Sequence, residues 1–528
     1  MRLNLQGLAD SQAWKDAHII LPAFDIAKMR EHTSAHPIWV HFGAGNIFRG
    51  FIAALQNKLL DEGLAQSGII AAETFDYDII RKIYDPFDNL TLMVTLRASG
   101  NMDMNIIASI AQGICADSSD SQEWEKLRAV FVNPRLQMVS YTITEKGYAL
   151  RNIKGELMPV VVSDMNSGPD SPKHAMSITA SLLLDRFRAD AQPIAIVSMD
   201  NCSHNGEKLR NSVLEVADAW VKNGFVDKEY FAWLSDESQV SFPWSMIDKI
   251  TPRPAEVVEA KLRAAGVEDM SPIITSRNTY IAPFVNAEAP QYLVIEDNFP
   301  NGRPPLEKAG VYMTDRDTVN MTERMKVTTC LNPLHTALAV YGCMLGYTKI
   351  ADEMNDPELK KLVELIGYKE GLPVVTDPKI LDPKKFIDEV VGERLPNAFM
   401  PDTPQRIATD TSQKIPVRFG ETLKSYAASE TLDIHSLTAI PLALAGWLRY
   451  LAGVDDNGEA MQVSADPMLE TLQNELKTPE GLREILSNKN IFGLDLYEAG
   501  LAEKVTGLYR ELSAGKGAVR ATLKKYLA

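Results

Sequence analysis

The sequence predicts an α/β half followed by a mostly α-helical half, and three observations carry that prediction. Short apolar runs alternate with segments of helical spacing over roughly the first 300 residues. From about Asp315 onward the strand-like runs thin out and helical periodicity dominates. Between them, Asn298-Phe-Pro-Asn-Gly-Arg-Pro-Pro305 is rich in turn residues and makes a crossover, which divides the chain into domains 1–300 and 301–528.

Each element follows from its residues. Pro37-Ile-Trp-Val-His-Phe42 is a short apolar run ending at Gly43, the form of a strand buried on both faces of a parallel sheet. Phe51–Leu60 has helical spacing and stops near Gly63; Gly68-Ile-Ile-Ala-Ala-Glu73 then makes the next strand and completes a βαβ unit. Further strands are expected at Leu90–Leu96, Leu136–Thr144 and Pro193–Met199, with helices at Ser177–Arg188 and Lys208–Lys222. In the second half, helices are expected at Pro333–Gly346, Pro357–Ile366, Pro383–Val391, Leu437–Leu451 and Ala499–Leu527. No internal repeat and no low-complexity segment is visible.

Composition narrows the partners. The 528 residues are 45% hydrophobic, enough for a large core. Lys+Arg number 54 against 70 Asp+Glu, a net charge of -16, and such a surface repels nucleic acid and anionic membranes. Any cations that bind an anionic substrate must therefore be focused locally. The four cysteines form no CxxC pair, which fits a reduced cytoplasm. No apolar leader opens the chain, and the most apolar stretch, Leu437–Gly453, is broken by Pro441 and Arg449 and reads as a buried helix.

Gly43-Ala-Gly45-Asn46-Ile47-Phe48-Arg49-Gly50 lies between the first strand and the first helix, where a dinucleotide site requires glycines. They let the backbone approach a pyrophosphate, while the helix N-terminus supplies N–H donors. The order is GxGxxxRG instead of GxGxxG, and the Arg49 guanidinium adds a second possible phosphate contact. An acid that takes the adenosine ribose is expected about 20 residues on. Glu73 and Asp76 both qualify, and either one favours NAD over NADP by repelling a 2′-phosphate.

Glu323-Arg-Met-Lys326-Val-Thr-Thr-Cys-Leu-Asn332-Pro-Leu-His335 puts a proton-transferring lysine, an amide donor and a hydroxyl-orienting histidine in one short segment. It has no metal-ligand spacing, so the set suggests acid–base chemistry without a metal; by itself, such a cluster near a helix start usually serves capping and solvation. Asp200 and Asn201 end a strand on the side where ligands of open α/β sheets bind, whereas His204 reads as exposed. Ser241–Pro252 is a proline-bounded loop carrying Asp248 and Lys249. Arg406 and Lys414 are cations with Asp410 between them, in a Thr/Asp-rich stretch that reads as a loop.

Several of these segments together resemble the polyol-specific long-chain dehydrogenases/reductases. The resemblance runs through His41–Gly50, Thr142–Tyr148, Ser198–Gly206, Phe242–Pro252, Val294–Phe299, Lys326–His335, Arg406–Lys414 and Ala445–Gly453, nearly the whole chain. It implies a Rossmann-like N-terminal domain, a helical C-terminal domain, NAD as cofactor and a small sugar acid or polyol as substrate. It also implies a monomer or small homo-oligomer in the cytoplasm. Lys326 is then the general acid/base, and Asn201 and Asn332 hold the reacting oxygen. His335, Arg406 and Lys414 bind substrate, Asp248 orients, and Glu323 gates proton exchange. The segments from Thr328 to His335 and from Pro401 to Arg406 look most like the fructuronate-reducing members. That implies interconversion of D-fructuronate and D-mannonate ahead of D-fructose and D-mannitol. A non-catalytic nucleotide-binding scaffold would be expected to have lost Lys326, His335 or the glycine loop.

One departure stands out. The family spacing is Lys-x4-Asn-x2-His, and here it is Lys-x5-Asn-x2-His. On a continuous helix of about 100° per residue the extra residue would swing Asn332 away from Lys326. Asn-Pro is a helix-starting pair, so a new helix is expected at Asn332, with the extra residue absorbed as a break or bulge before it.

Overall fold

The computed structural model describes residues 1–527. The described residues form two compact units, one of residues 1–96 and 101–320, the other of residues 97–100 and 321 onward. The division falls inside the helix Arg316–Met325 and not at the turn-rich crossover near residue 300. The reason is a strand that the sequence pattern hid. Tyr312–Thr314 returns to pair in parallel with Tyr292–Glu296, which itself pairs antiparallel with Ser245–Asp248. The crossover is therefore part of the first unit.

The centre of the first unit is a parallel sheet of β1 (Trp39–Phe42), β2 (Ile69–Glu73), β3 (Ile110–Cys115), β4 (Met138–Tyr141), β5 (Ile194–Ser198) and β6 (Val240–Ser241). Its order is β3-β2-β1-β4-β5-β6, the doubly wound order with a switch point between β1 and β4. Val40, His41 and Phe42 pair with Ile70, Ala71 and Ala72 on one side, and with Val139, Ser140 and Tyr141 on the other. All four residues of β1 are buried, as its unbroken apolar run requires. His41 is the exception in character. Its ring satisfies itself inside the sheet, with Nδ1 2.6 Å from Ser140 Oγ and Nε2 2.8 Å from Thr142 Oγ1, and it stacks on Phe48. Burial holds its pKa well below the ordinary histidine value. At the amino ends of the strands Arg186 donates to the carbonyls of Phe131, Asn133, Leu136, Gln192 and Pro193, closing turns that would otherwise bury unpaired oxygens.

A second sheet joins Ile19–Ile20, Met102–Ile107, Thr91–Leu96 and Phe284–Glu288. Thr91–Leu96 was expected to continue the βα alternation. It is instead one arm of an antiparallel pair with Met102–Ile107.

The second unit is helical. Asn332–Met344 is almost wholly buried, and Ala439–Tyr450 lies against it so closely that a Cβ on Gly446 would meet the Tyr341 ring at 2.5 Å. Tyr341 Oη donates to Leu442 O across this contact at 2.7 Å. The start of the 439–450 helix is held from outside its own sequence: the buried Glu370 carboxylate accepts the N–H groups of Thr438, Ala439 and Ile440. The expected helix 499–527 is two, Ala502–Leu512 and Ala518–Leu527, broken where Gly515 and Gly517 adopt positive φ. Among the described residues, no helix is long and apolar enough to cross a membrane, and all four cysteines are free.

Candidate active site

In the first unit the glycine segment sits at the carboxyl end of β1, next to the switch point. Gly43 has φ +101°, and a Cβ there would lie 2.3 Å from Thr142 O, so only glycine fits. Gly45 is the opposite case, since no atom lies within 4 Å of where its Cβ would stand. That open side is what close approach of a phosphate to the backbone requires. Gly50 lets the chain pass Val285, whose Cγ1 would be 2.7 Å from an added Cβ. The two extra residues before Gly50 are accommodated by a π turn, Phe48–Ile52, which runs straight into the helix Ala53–Asp61.

Arg49 does not reach outward. Its guanidinium is fully buried, donates to Ala282 O and to Asn46 Oδ1 at 2.9 Å each, and burial lowers its pKa to about 10. The direct phosphate contact that the sequence suggests is thus corrected to a buried brace between Asn46 and the Ala282 carbonyl. Glu73 has a similar inward role. Its Oε2 accepts Ala44 N–H at 2.8 Å, and its Oε1 accepts from Thr74, Phe75 and Asp76. The carboxylate pins the glycine loop to the end of β2, and burial raises its pKa despite those bonds. Asp76 is also buried and accepts from Thr275 Oγ1 at 2.6 Å. Beside this acid pair stands Phe75, 62% exposed, with the Arg277 guanidinium 5.0 Å above its ring. No pattern in the sequence marks Phe75, yet an exposed aromatic ring at the end of a doubly wound strand is a surface on which a flat ring can stack.

At the end of β5, Asp200 is spent on the chain itself. It accepts from Ile143 N, Thr144 N and Tyr148 Oη, which fixes the turn that follows β4. Asn201 is exposed in the turn after β5, and His204 is exposed as expected, with its ring against Trp244. Behind them Asn205 bonds both the N–H and the carbonyl of Ser245, tying the helix Asn205–Lys222 to the next strand. Asp248, expected in a loop, is the buried last residue of the strand Ser245–Asp248. Proline on both sides had masked that strand.

In the second unit the bulge stands where the extra residue required one. Lys326–Cys330 is a π turn, Leu331 leaves the helical region at φ -129°, and the helix Asn332–Met344 begins with proline in its first turn. Lys326 is buried, while Glu323 is half-buried one turn before it. His335 Nε2 faces Asp402 Oδ2 at 3.6 Å. Burial drives the His335 pKa down, the Asp402 carboxylate opposes that shift, and Arg418, Arg406 and Arg394 reinforce it.

The stretch from Arg406 to Lys414, expected as a loop, is two short helices. Pro404–Ile407 is capped by Thr403, and Thr411–Arg418 starts after Asp410 at φ +53°. Lys414 Nζ donates back to the carbonyls of Ile407 and Thr409, and burial together with Arg418 lowers its pKa. Asp402 pairs with Arg406, and Arg418 donates to Thr336 Oγ1 at 2.6 Å. Arg418 is, like Arg406, Lys414 and Lys249, a cation that the sequence offers as a carboxylate anchor, whereas nothing in the sequence marks Asp402; its place beside the histidine is made by the fold.

Residues 37–308 match the family model Mannitol dehydrogenase Rossmann domain, and residues 318–513 match Mannitol dehydrogenase C-terminal domain. The chain belongs to the mannitol dehydrogenase family. Over 99% of its length it is 51% identical to the D-mannonate oxidoreductase of Thermotoga maritima, of which it covers 99%. It is 30% identical to the mannitol 2-dehydrogenase of Pyrenophora tritici-repentis over 89% of the chain and 80% of that relative. Among solved structures it resembles Pseudomonas fluorescens mannitol 2-dehydrogenase in a ternary complex with NAD and D-mannitol. The TM-score is 0.70 at 26% identity, over all of this chain and 99% of that one. It also resembles a substrate-free D-sorbitol dehydrogenase, with a TM-score of 0.79 at 27% identity, covering 96% and 98%. Membership of this family makes the chain an oxidoreductase acting on a secondary alcohol, with the doubly wound domain as its dinucleotide carrier. The open side of Gly45 and the positive φ of Gly43 suit that carrier role.

Proposed function

We propose that the chain is an NAD-dependent oxidoreductase that interconverts D-fructuronate and D-mannonate in the cytoplasm. The observation that carries the substrate class is the set of cations acting on His335. Arg394, Arg406 and Arg418 bear on it, Lys414 stands among them, and Asp402 is the acid that opposes them at the ring. In a chain of net charge -16, such a concentration is a receptor for an anion, and a uronate carries one where fructose does not. The full-length likeness to a D-mannonate oxidoreductase points the same way.

NAD, when bound, exchanges a hydride with the carbon that bears the reacting oxygen. Gly43, Gly45 and Asn46–Phe48 would hold its pyrophosphate, Glu73 would brace that loop from behind, and the Asp76 carboxylate disfavours a 2′-phosphate. Lys326 takes the hydroxyl proton in oxidation and returns it in reduction. The amides of Asn201 and Asn332 donate to the oxygen as its negative charge develops. His335 orients a neighbouring hydroxyl, Arg406 and Lys414 hold the carboxylate, Asp248 fixes a further hydroxyl, and Glu323 connects the lysine to solvent protons.

A screen following NADH absorbance with fructuronate, tagaturonate and fructose, repeated with NADPH, tests this reading. Fructuronate should exceed fructose in kcat/KM by about tenfold or more. The second reading, D-fructose and D-mannitol, draws on the likeness to the P. fluorescens enzyme, and a preference for fructose would install it instead.

A further inference from the structure

Asp402 is one carboxylate with two claimants. One oxygen pairs with the Arg406 guanidinium; the other stands 3.6 Å from His335 Nε2, which is too far for a hydrogen bond. Nε2 is buried and has no hydrogen-bond partner among the described residues. The Asp402 backbone is anchored, because its carbonyl accepts Ile350 N–H at 3.0 Å, and Thr403 caps the helix that carries Arg406. The side chain can therefore pivot between its partners while its Cα stays in place. Exposure separates those partners. The Arg406 side chain is 64% exposed, whereas those of Asp402 and His335 are 12% and 17% exposed. A solute carboxylate can reach the arginine far more easily than it can reach the aspartate or the histidine.

We propose that Asp402 is an exchangeable counter-ion: it occupies Arg406 until an anionic substrate takes that guanidinium, and then turns to His335 and fixes its ring. The argument rests on the uronate reading above. A bidentate carboxylate from solution is a strong competitor for a guanidinium. Once displaced, Asp402 is a buried charge without its cation, and drawing in the Nε2–H of His335 relieves that cost. With its proton held on Nε2, the ring presents Nδ1 as the acceptor for a substrate hydroxyl. The groups that face His335 are Asp402, Arg394, Arg406 and Arg418, so the aspartate is the member of this set that favours the protonated ring. A neutral polyol cannot perform the exchange. Asp402 would thus make productive binding depend on a carboxylate, as a positioning residue that acts through His335.

Asp402→Asn separates this from a structural role because KM and kcat should fall together, whereas structural damage lowers kcat while raising KM. With its competitor gone, Arg406 should bind fructuronate more tightly, lowering KM about threefold to tenfold. kcat should fall about tenfold or more because His335 is no longer fixed. KM for fructose should not move, and Asp402→Glu should recover most of kcat. The acid limb of the pH profile should shift to lower pH, since the carboxylate that favours protonation of His335 has been removed. A parallel loss for both substrates, with KM rising, overturns the proposal. Imidazole nitrogen NMR of wild-type enzyme gives a readout that needs no turnover. D-gluconate should raise the His335 pKa, neutral sorbitol should not, and Asp402→Asn should lower it. If fructuronate is not a substrate, the proposed function fails on the screen. The His335 titration then decides the counter-ion by itself, and a titration that gluconate and Asp402→Asn both leave unchanged refutes it.

Discussion

The carboxyl group of Glu353 is pressed onto the backbone of Gly342, where a Cβ would lie 1.9 Å from Oε1. Both carboxyl oxygens are buried, with no hydrogen-bond partner among the described residues. Burial, reinforced by Asp356 and Asp352, raises the pKa to about 9. The unfolded chain releases this proton near the ordinary glutamate value, so the folded state binds more protons between about pH 4.5 and 9. Stability from this group is therefore complete in mild acid and lost as the pH rises through that window. Replacing Glu353 with Gln should raise Tm by on the order of 5 °C at pH 8 and by little at pH 5. Thermal melts of both proteins across this range check it, and parallel Tm curves would refute it.

Lys326→Ala should reduce turnover by about 10²-fold to 10⁴-fold, the scale of a lost general acid/base. Fluorescence titration with NADH should give a Kd within about twofold of wild type, because the nucleotide loop belongs to the other unit. Retained turnover would remove the lysine from the chemistry.

Gly43→Ala forces a Cβ to 2.3 Å from Thr142 O at a φ that suits glycine. The expected loss is about 1–3 kcal/mol, seen as a lower Tm, together with weaker NADH binding as the loop moves off Glu73. Gly45→Ala meets no atom, so its Tm should stay near wild type while NADH affinity falls. Calorimetry and NADH titration on the pair separate the folding role of the first glycine from the binding role of the second.

Arg406→Ala should raise KM for fructuronate by about 10-fold to 100-fold, the scale of a lost charge-assisted carboxylate contact, and leave KM for fructose nearly unchanged. Equal effects on both substrates, in steady-state assays with saturating NADH, would mean that Arg406 does not read the carboxylate.

Long apolar runs were legible in the sequence. β1, β2, β4 and β5 and the helices starting at Asn332 and Ala439 stand close to where side-chain periodicity puts them. β3 was missed because Ile-Ala-Gln-Gly-Ile-Cys mixes polar residues and glycine into a strand packed against Tyr84 and Ile80. Ser245–Asp248 was read as a loop because prolines bound it, yet Asn205 supplies its edge with hydrogen bonds from a distant helix. At the candidate site, residue types were legible but their directions were not. Arg49 and Glu73 were marked as cofactor contacts, and both are turned into the protein, because burial on folding decides which groups a guanidinium or carboxylate meets. Asp402 lies next to a segment that the sequence did highlight. What singles it out is its distance to His335, 67 positions earlier in the chain, which no local pattern encodes.

The π turn at Lys326–Cys330 changes how this chain must be aligned with its relatives. Matching both Lys326 and Asn332 to relatives that have four residues between those positions demands a one-residue gap. Here the surplus residue is stored in the π turn that ends at Cys330, just before the break at Leu331 and the new helix at Asn332. A gap displaced toward the Gly346 turn would pair Asn332 and His335 with residues one position away from their counterparts. Placing the gap within residues 326–330 keeps both ends of the segment in register.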